Sequence, residues 1–142
     1  MEQDERRRLE DLLDREIDTA RSLAATLAAE RTALTGDSPQ AVEQLAAEKT
    51  QILGTIEQLE AQRRALWAAP NLGLAATVAE RWRDLMELMA GCRTVNEVNG
   101  HIIHVRQHQI GQLIDIVRGG PSITYDPQGK TFAKALRALA RA

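Results

Sequence analysis

The sequence predicts an all-α fold, and three observations carry that prediction. Ala, Leu, Glu, Gln and Arg dominate the 142 residues, whereas the aromatic residues are two Trp, one Tyr and one Phe. Residues that break helices cluster in three segments, and apolar residues recur at helical spacing between them. We expect an antiparallel helical hairpin plus a long third helix, forming an elongated three-helix bundle of the coiled-coil type. A flexible C-terminal segment with a short helix should follow it.

Capping signals set the predicted helix ends. Ser38 followed by Pro39 is typical of an N-cap and a first helical turn, and two glycines followed by Pro121 indicate a stop. The breaker segments read "TGDSPQ", "AAPNLG" and "RGGPSITYDPQG". We therefore expect a three-helix domain over residues 1–118 and a flexible segment over residues 119–142. The predicted helices span about residues 4–35, 39–67, 72–118 and 131–141.

Heptad repeats predict how the first two helices pair. Their short connection makes them antiparallel neighbours. One register places Glu30 opposite Lys49 and Glu16 opposite Arg63, with apolar layers between these pairs. A slip of one heptad fits the short loop better, but it sets Glu16 against Ile56 and so leaves an ion beside an apolar neighbour. The first register is therefore the one we predict.

Composition excludes several classes of function. The formal net charge is −2, and no basic block resembles a nucleic-acid footprint, so we expect no nucleic-acid partner. The N-terminal residues lack the apolar core of a signal peptide, and no apolar run is long enough to cross a membrane, which favours the cytoplasm. The single cysteine, Cys92, excludes an internal disulfide and is best interpreted as a small buried apolar residue.

The third helix carries an apolar band in which two asparagines lie. At about 100° per residue, Asn96 and Asn99 share one side of the helix with Leu85, Cys92 and later apolar residues. Amides in such a band need hydrogen-bond partners. They either specify the register of a bundle, as buried Asn does in coiled coils, or capture the backbone of a partner.

All three histidines fall on the opposite side of this helix. The spacing of His101, His104 and His108 would let them share a metal ion, but "HIIHVRQH" lacks the glutamate of the "HExxH" motif and no second ligand cluster is visible. We expect a solvated histidine face, no metal site and no cofactor. We also expect no catalytic residue, because no serine or cysteine has the setting of an activated nucleophile.

Helix lengths predict an uncovered apolar stripe. The third helix would span about 70 Å against about 45 Å for each hairpin helix, so cover should end near residue 100. Such a patch usually marks an interaction surface. Its cover would be the C-terminal helix, a foreign partner, or a second copy in a structural homodimeric coiled coil that binds no other protein. The residues beyond that point are Ile102, Ile103, Ile110, Leu113, Ile114 and Val117.

The chain resembles the FlgN family of flagellar type III export chaperones. The matching pieces are "ERTAL", "EKTQIL", "LEAQRRAL", "CRTVNEVNGHII" and "TYDPQGK", in the order of the family and over most of the chain. The most specific element is Asn-x-x-Asn-Gly, which is followed about 25 residues later by Tyr-Asp-x-x-Gly.

This resemblance implies a chaperone that is not an enzyme. It would keep hook-associated proteins of the hook–filament junction unassembled in the cytoplasm, bind their C-terminal helical segments, and deliver them to the membrane protein of the export gate. The export ATPase complex is a further implied partner. By the same resemblance, Tyr125, Asp126 and Gly129 would dock on the gate, although Tyr125 could instead pack the tail against the bundle. The expected client contacts are Asn96, Asn99, Ile102, Ile103, Ile110, Leu113, Ile114 and Val117.

Overall fold

The computed structural model describes residues 2–69, 73 and 75–118, and these form three helices. They are α1 (Glu2–Leu34), α2 (Pro39–Trp67) and α3 (Ala76–Val117), with no strand among the described residues. The all-α prediction is confirmed, and most helix ends agree within two residues. Helix α3 begins four residues later than expected, and at its start the carbonyl of Ala75 accepts hydrogen bonds from the N–H groups of Val78 and Ala79. The helix predicted over residues 131–141 and the segment 119–142 lie outside the described residues.

The chain divides into two units, Met1–Asn99 and Gly100–Ala142. The first unit contains α1, α2 and the first part of α3, and both apolar core clusters lie in it. The described part of the second unit is the rest of α3 together with Arg118. The predicted domain end at residue 118 remains a prediction.

The predicted cap of α2 is present. Ser38 has an extended backbone, and its hydroxyl accepts a hydrogen bond from the N–H of Ala41 at 3.3 Å. Pro39 occupies the first helical turn, where its missing N–H costs nothing. Four residues separate the end of α1 from the start of α2, so the two helices turn back on one another.

Two ion pairs, each with a buried glutamate, fix the register of the hairpin. Nε of Arg63 lies 2.8 Å from a carboxylate oxygen of Glu16, and Nζ of Lys49 lies 3.0 Å from one of Glu30. Both glutamates are almost fully buried. The predicted register is therefore confirmed, and the slipped alternative is wrong. Removing either partner would leave an uncompensated buried charge, which is why the pairs select one register.

Helix α1 is the central element of the first unit. Its apolar residues Leu9, Leu13 and Ala20 form one core cluster with Val78 and Leu85 of α3. A second cluster consists of Leu23, Leu27 and Cys92. Helix α2 supplies two buried residues, Leu59 and Arg63, so most of its surface faces water.

An aromatic cluster closes one end of the core. The guanidinium carbon of Arg63 lies 4.6 Å from the centre of the Trp82 ring, and the rings of Trp82 and Trp67 are 5.2 Å apart.

Burial raises the pKa of the Glu16 carboxyl, although its hydrogen bond to Arg63 acts in the opposite direction. Because this pKa is higher in the folded chain, the contribution of Glu16 to stability falls as the pH rises through it.

Charge exchange tests the register. Lys49→Glu should lower the free energy of unfolding by about 3 kcal/mol, because it buries two carboxylates together. Adding Glu30→Lys should recover about half of that loss. Urea denaturation followed by circular dichroism measures both. As a control, Glu48→Lys at an exposed site should change stability by less than about 0.5 kcal/mol. A double variant no more stable than Lys49→Glu would refute the pairing.

Two glycines should respond oppositely to alanine. A Cβ at Gly54 would meet no atom within 4 Å, so Gly54→Ala should stabilise α2 by about 1 kcal/mol through helix propensity. A Cβ at Gly73 would lie 3.0 Å from the Trp67 ring, so Gly73→Ala should lower the melting temperature by displacing the indole. Thermal unfolding of the two variants under the same conditions checks this. A rise in melting temperature for both variants would show that the position of the Trp67 ring does not require glycine at residue 73.

Candidate functional site

Helix α3 runs alongside α1 in the same direction and antiparallel to α2. Along α1 the Sγ of Cys92 lies 3.6 Å from the carbonyl oxygen of Ala20, and Asn99 follows seven residues later beside Leu27. Along α2 the order reverses, because Asn96 contacts Lys49 whereas Trp82 contacts Arg63. The apolar band of α3 therefore meets the hairpin up to Asn99, as its periodicity predicts.

Asn99 is the centre of a buried polar network. Its side chain is 0% exposed, and its Nδ2 donates to the carbonyl oxygen of Leu27 and to Oε1 of Glu30, both at 2.9 Å. Lys49 donates to the same glutamate and also to Oδ1 of Asn96 at 3.3 Å. We call Glu30, Lys49, Asn96 and Asn99 the Asn99 network. It joins all three helices at one level of the bundle.

The two asparagines that the sequence assigns to one apolar band differ in their environment. Asn99 faces the interior, which matches the interpretation of a buried amide that specifies register. Asn96 is exposed and lies at the outer end of the network, where its Oδ1 accepts a hydrogen bond from Lys49. Oδ1 of Asn99 is buried without a hydrogen-bond partner among the described residues. A buried oxygen without a partner costs free energy, which offsets part of the gain from the two hydrogen bonds that Asn99 donates.

The second unit presents uncovered apolar side chains. Ile110, Leu113 and Val117 are 53%, 61% and 85% exposed. Ile116 is 73% exposed as well, although its angular position lies outside the apolar band. We call these four residues the α3 apolar face. Of the other predicted contacts, Ile102, Ile103 and Ile114 are half-buried.

Burial in this unit falls on residues that the sequence did not single out. Gly111 and Asp115 are the buried positions of the described part of the second unit. Both lie toward the histidine side of α3 on the 100° spacing, away from Ile110 and Leu113. The apolar stripe is therefore the uncovered side of this helix segment.

The histidines lie where the sequence predicted. His101, His104 and His108 are all exposed, and Nε2 of His108 lies 3.3 Å from Nε2 of Gln112. Within the described part of the chain, no three His, Cys, Asp or Glu side chains are grouped so that they could hold a metal ion.

Cys92 matches its predicted role as a small buried residue. It is 4% exposed in the second core cluster, and burial raises the pKa of its thiol. A raised pKa keeps the thiol protonated at neutral pH, which makes it a poor nucleophile.

Two further predictions concern the tail and the membrane. Tyr125, Asp126 and Gly129 lie outside the described residues. None of the helices in the described ranges is long and apolar enough to span a bilayer.

Fold and site together define a helical bundle that presents an apolar helix face. Comparison with family models then gives a match to the family described as FlgN protein over residues 1–132. The chain belongs to the FlgN family. Its members are flagellar export chaperones rather than enzymes, and they bind flagellar hook-associated proteins. Neither the curated proteins nor the solved structures include a significant match to this chain.

Substitutions at Asn99 test its role in the first unit. Asn99→Ala should cost about 2 kcal/mol, because Glu30 and the Leu27 carbonyl each lose a donor. Asn99→Asp should cost more at neutral pH, because it places a second carboxylate against Glu30. The gap between the variants should narrow as the pH falls and a carboxylate is protonated. Urea denaturation at pH 7 and pH 5 measures this, and equal stability of both variants at pH 7 would contradict it.

Proposed function

We propose that this protein holds hook-associated proteins of the hook–filament junction unassembled in the cytoplasm and delivers them to the flagellar export gate. It would do so by binding their C-terminal helical segments to the second half of α3. The exposure of the α3 apolar face is the observation that carries this proposal. Membership of a chaperone family supports it, since a chaperone must offer a surface that is open before its client arrives.

The spacing of the α3 apolar face suits a helical partner. Ile110, Leu113 and Val117 follow one another at three and four residues, so they form one ridge along the helix. A second helix with a similar ridge can pack against it, as in other complexes that bury an amphipathic helix. Burying each such side chain is worth about 1.5–3 kcal/mol before the cost of association.

The remaining predicted contacts contribute unequally to this proposal. Ile102, Ile103 and Ile114 are half-buried and would widen the apolar surface at its edges. Asn96 is exposed in the first unit and can offer its Nδ2 to a client backbone. Asn99 is left out of the proposed contact surface, because its amide is buried and already donates to Leu27 and Glu30.

Docking on the export gate would use a different part of the chain. We assign it to Tyr125, Asp126 and Gly129 in "TYDPQGK", on the family resemblance. The gate membrane protein and the export ATPase complex are the proposed partners for this step. Separate surfaces for client and gate would let a loaded chaperone dock without first releasing its client.

A structural homodimer without a client is the alternative that the same apolar face permits. A second copy could bury Ile110 and Leu113 against their own counterparts, which would remove the surface that a chaperone needs. Mass measured at micromolar concentration distinguishes the two functions. A closed dimer that excludes clients would favour the structural role.

Charge placed on the apolar face should abolish client binding. Ile110→Asp and Leu113→Asp each put a carboxylate into the proposed interface, so co-purification with C-terminal segments of hook-associated proteins should fall at least about tenfold. His108→Asp adds the same charge at an exposed residue on the opposite side of α3 and should bind normally. Tyr125→Ala should also retain the client. Circular dichroism confirms the fold of each variant. Full binding by Ile110→Asp and Leu113→Asp would exclude this face.

A further inference from the structure

A second apolar surface lies in the first unit, between α2 and α3. It is a groove of about 490 Å³ that reaches the core between the two helices. Leu23, Leu27 and Cys92, which form the second core cluster, provide its floor. The groove is open because α2 buries little of its surface. The two buried residues of α2, Leu59 and Arg63, do not line the groove. Core side chains thus face an unfilled slot.

The walls of this groove are apolar and partly exposed. Leu53 of α2 is 41% exposed, and Met86 of α3 is 39% exposed on the opposite wall. Met89 and Ala90 complete the α3 wall. Methionine side chains are flexible and polarisable, so they adapt to the shape of an incoming side chain. The slot therefore suits aliphatic or aromatic side chains.

The polar groups that line the groove are cationic or neutral. Arg93 is exposed on the α3 wall and has no hydrogen bond or ion pair with any described residue. Lys49 stands at one end, already paired with Glu30. Among the described lining residues there is no carboxylate. A partner that fills the slot would thus meet an unpaired guanidinium at its edge, and a carboxylate would satisfy it.

We propose that the groove between α2 and α3 docks an acidic amphipathic helix of a partner protein, with its apolar ridge in the slot and a carboxylate against Arg93. The lining residues of α3 run from Met86 to Asn96, which is about 15 Å or three helical turns. A docked helix would therefore place apolar residues at i, i+4 and i+7 along the slot. Charge complementarity selects an acidic helix over a basic one.

This groove shares one lining residue, Asn96, with the client contacts proposed above, and it lies apart from the α3 apolar face. Its residues belong to the first unit, whereas the α3 apolar face belongs to the second. Loss of client binding to the α3 apolar face would leave the groove proposal unchanged.

The test uses the full chain and two labelled synthetic helices of equal length. Both peptides carry Leu at i, i+4 and i+7, and they differ in having Glu or Lys beside that ridge. Fluorescence anisotropy should show the Glu peptide binding about tenfold more tightly. Arg93→Glu should remove or reverse that preference. Arg7→Glu makes the same charge change at an exposed site on α1 and should leave the preference intact.

Substitutions of the groove wall locate the binding. Leu53→Asp should weaken the Glu peptide at least about tenfold, whereas Ile110→Asp should not affect it. If circular dichroism shows that Leu53→Asp has lost helical structure, Met86→Gln is tested in its place. The proposal is overturned by equal binding of both peptides, by no binding at about 100 µM, or by Ile110→Asp acting where Leu53→Asp does not. A dimer that Leu53→Asp dissociates would overturn it too, because a second copy would then fill the groove.

Discussion

The bundle depends on the burial of Glu30, which is 1% exposed and yet carries a carboxylate. That group is tolerated because Lys49 of α2 and Asn99 of α3 both donate to it. A buried carboxylate with one donor missing is costly. The three helices therefore pack stably only in the register that places both Lys49 and Asn99 beside Glu30. Apolar layers alone would accept several heptad registers. The polar layer therefore sets the alignment of all three helices, and the apolar residues supply the bulk of the stabilisation.

The unequal burial of the helices explains why this protein has surfaces to offer. Helix α1 is packed between its neighbours, whereas α2 buries Leu59 and Arg63 and leaves Leu53 exposed. The described part of the second unit leaves Ile110 and Leu113 uncovered. A protein selected for stability alone would fill such positions with contacts or polar residues. Binding in a chaperone requires the opposite, namely apolar surface held open by a rigid core elsewhere.

Much of this architecture follows from the sequence, because heptad spacing, helix caps and charge pairing are local or pairwise signals. The Glu16–Arg63 pair is an example, since only one register gives both ions a partner. The angular positions of Asn96 and Asn99 around α3 also distinguish the buried amide from the exposed one. Asn99 lies about 10° from the centre of the apolar band and Asn96 about 50° from it. The groove beside Leu53 could not be predicted, because it depends on how side chains of different helices fill space together.

The tryptophan pair has a consequence for how this molecule can be observed. Trp67 and Trp82 are the two tryptophans of the whole sequence, and both belong to the cluster that closes one end of the first unit. Intrinsic indole emission therefore reports the packing of that cluster, to which neither Ile110 nor Leu113 belongs. Studies of binding need an added label, whereas studies of folding have a natural one.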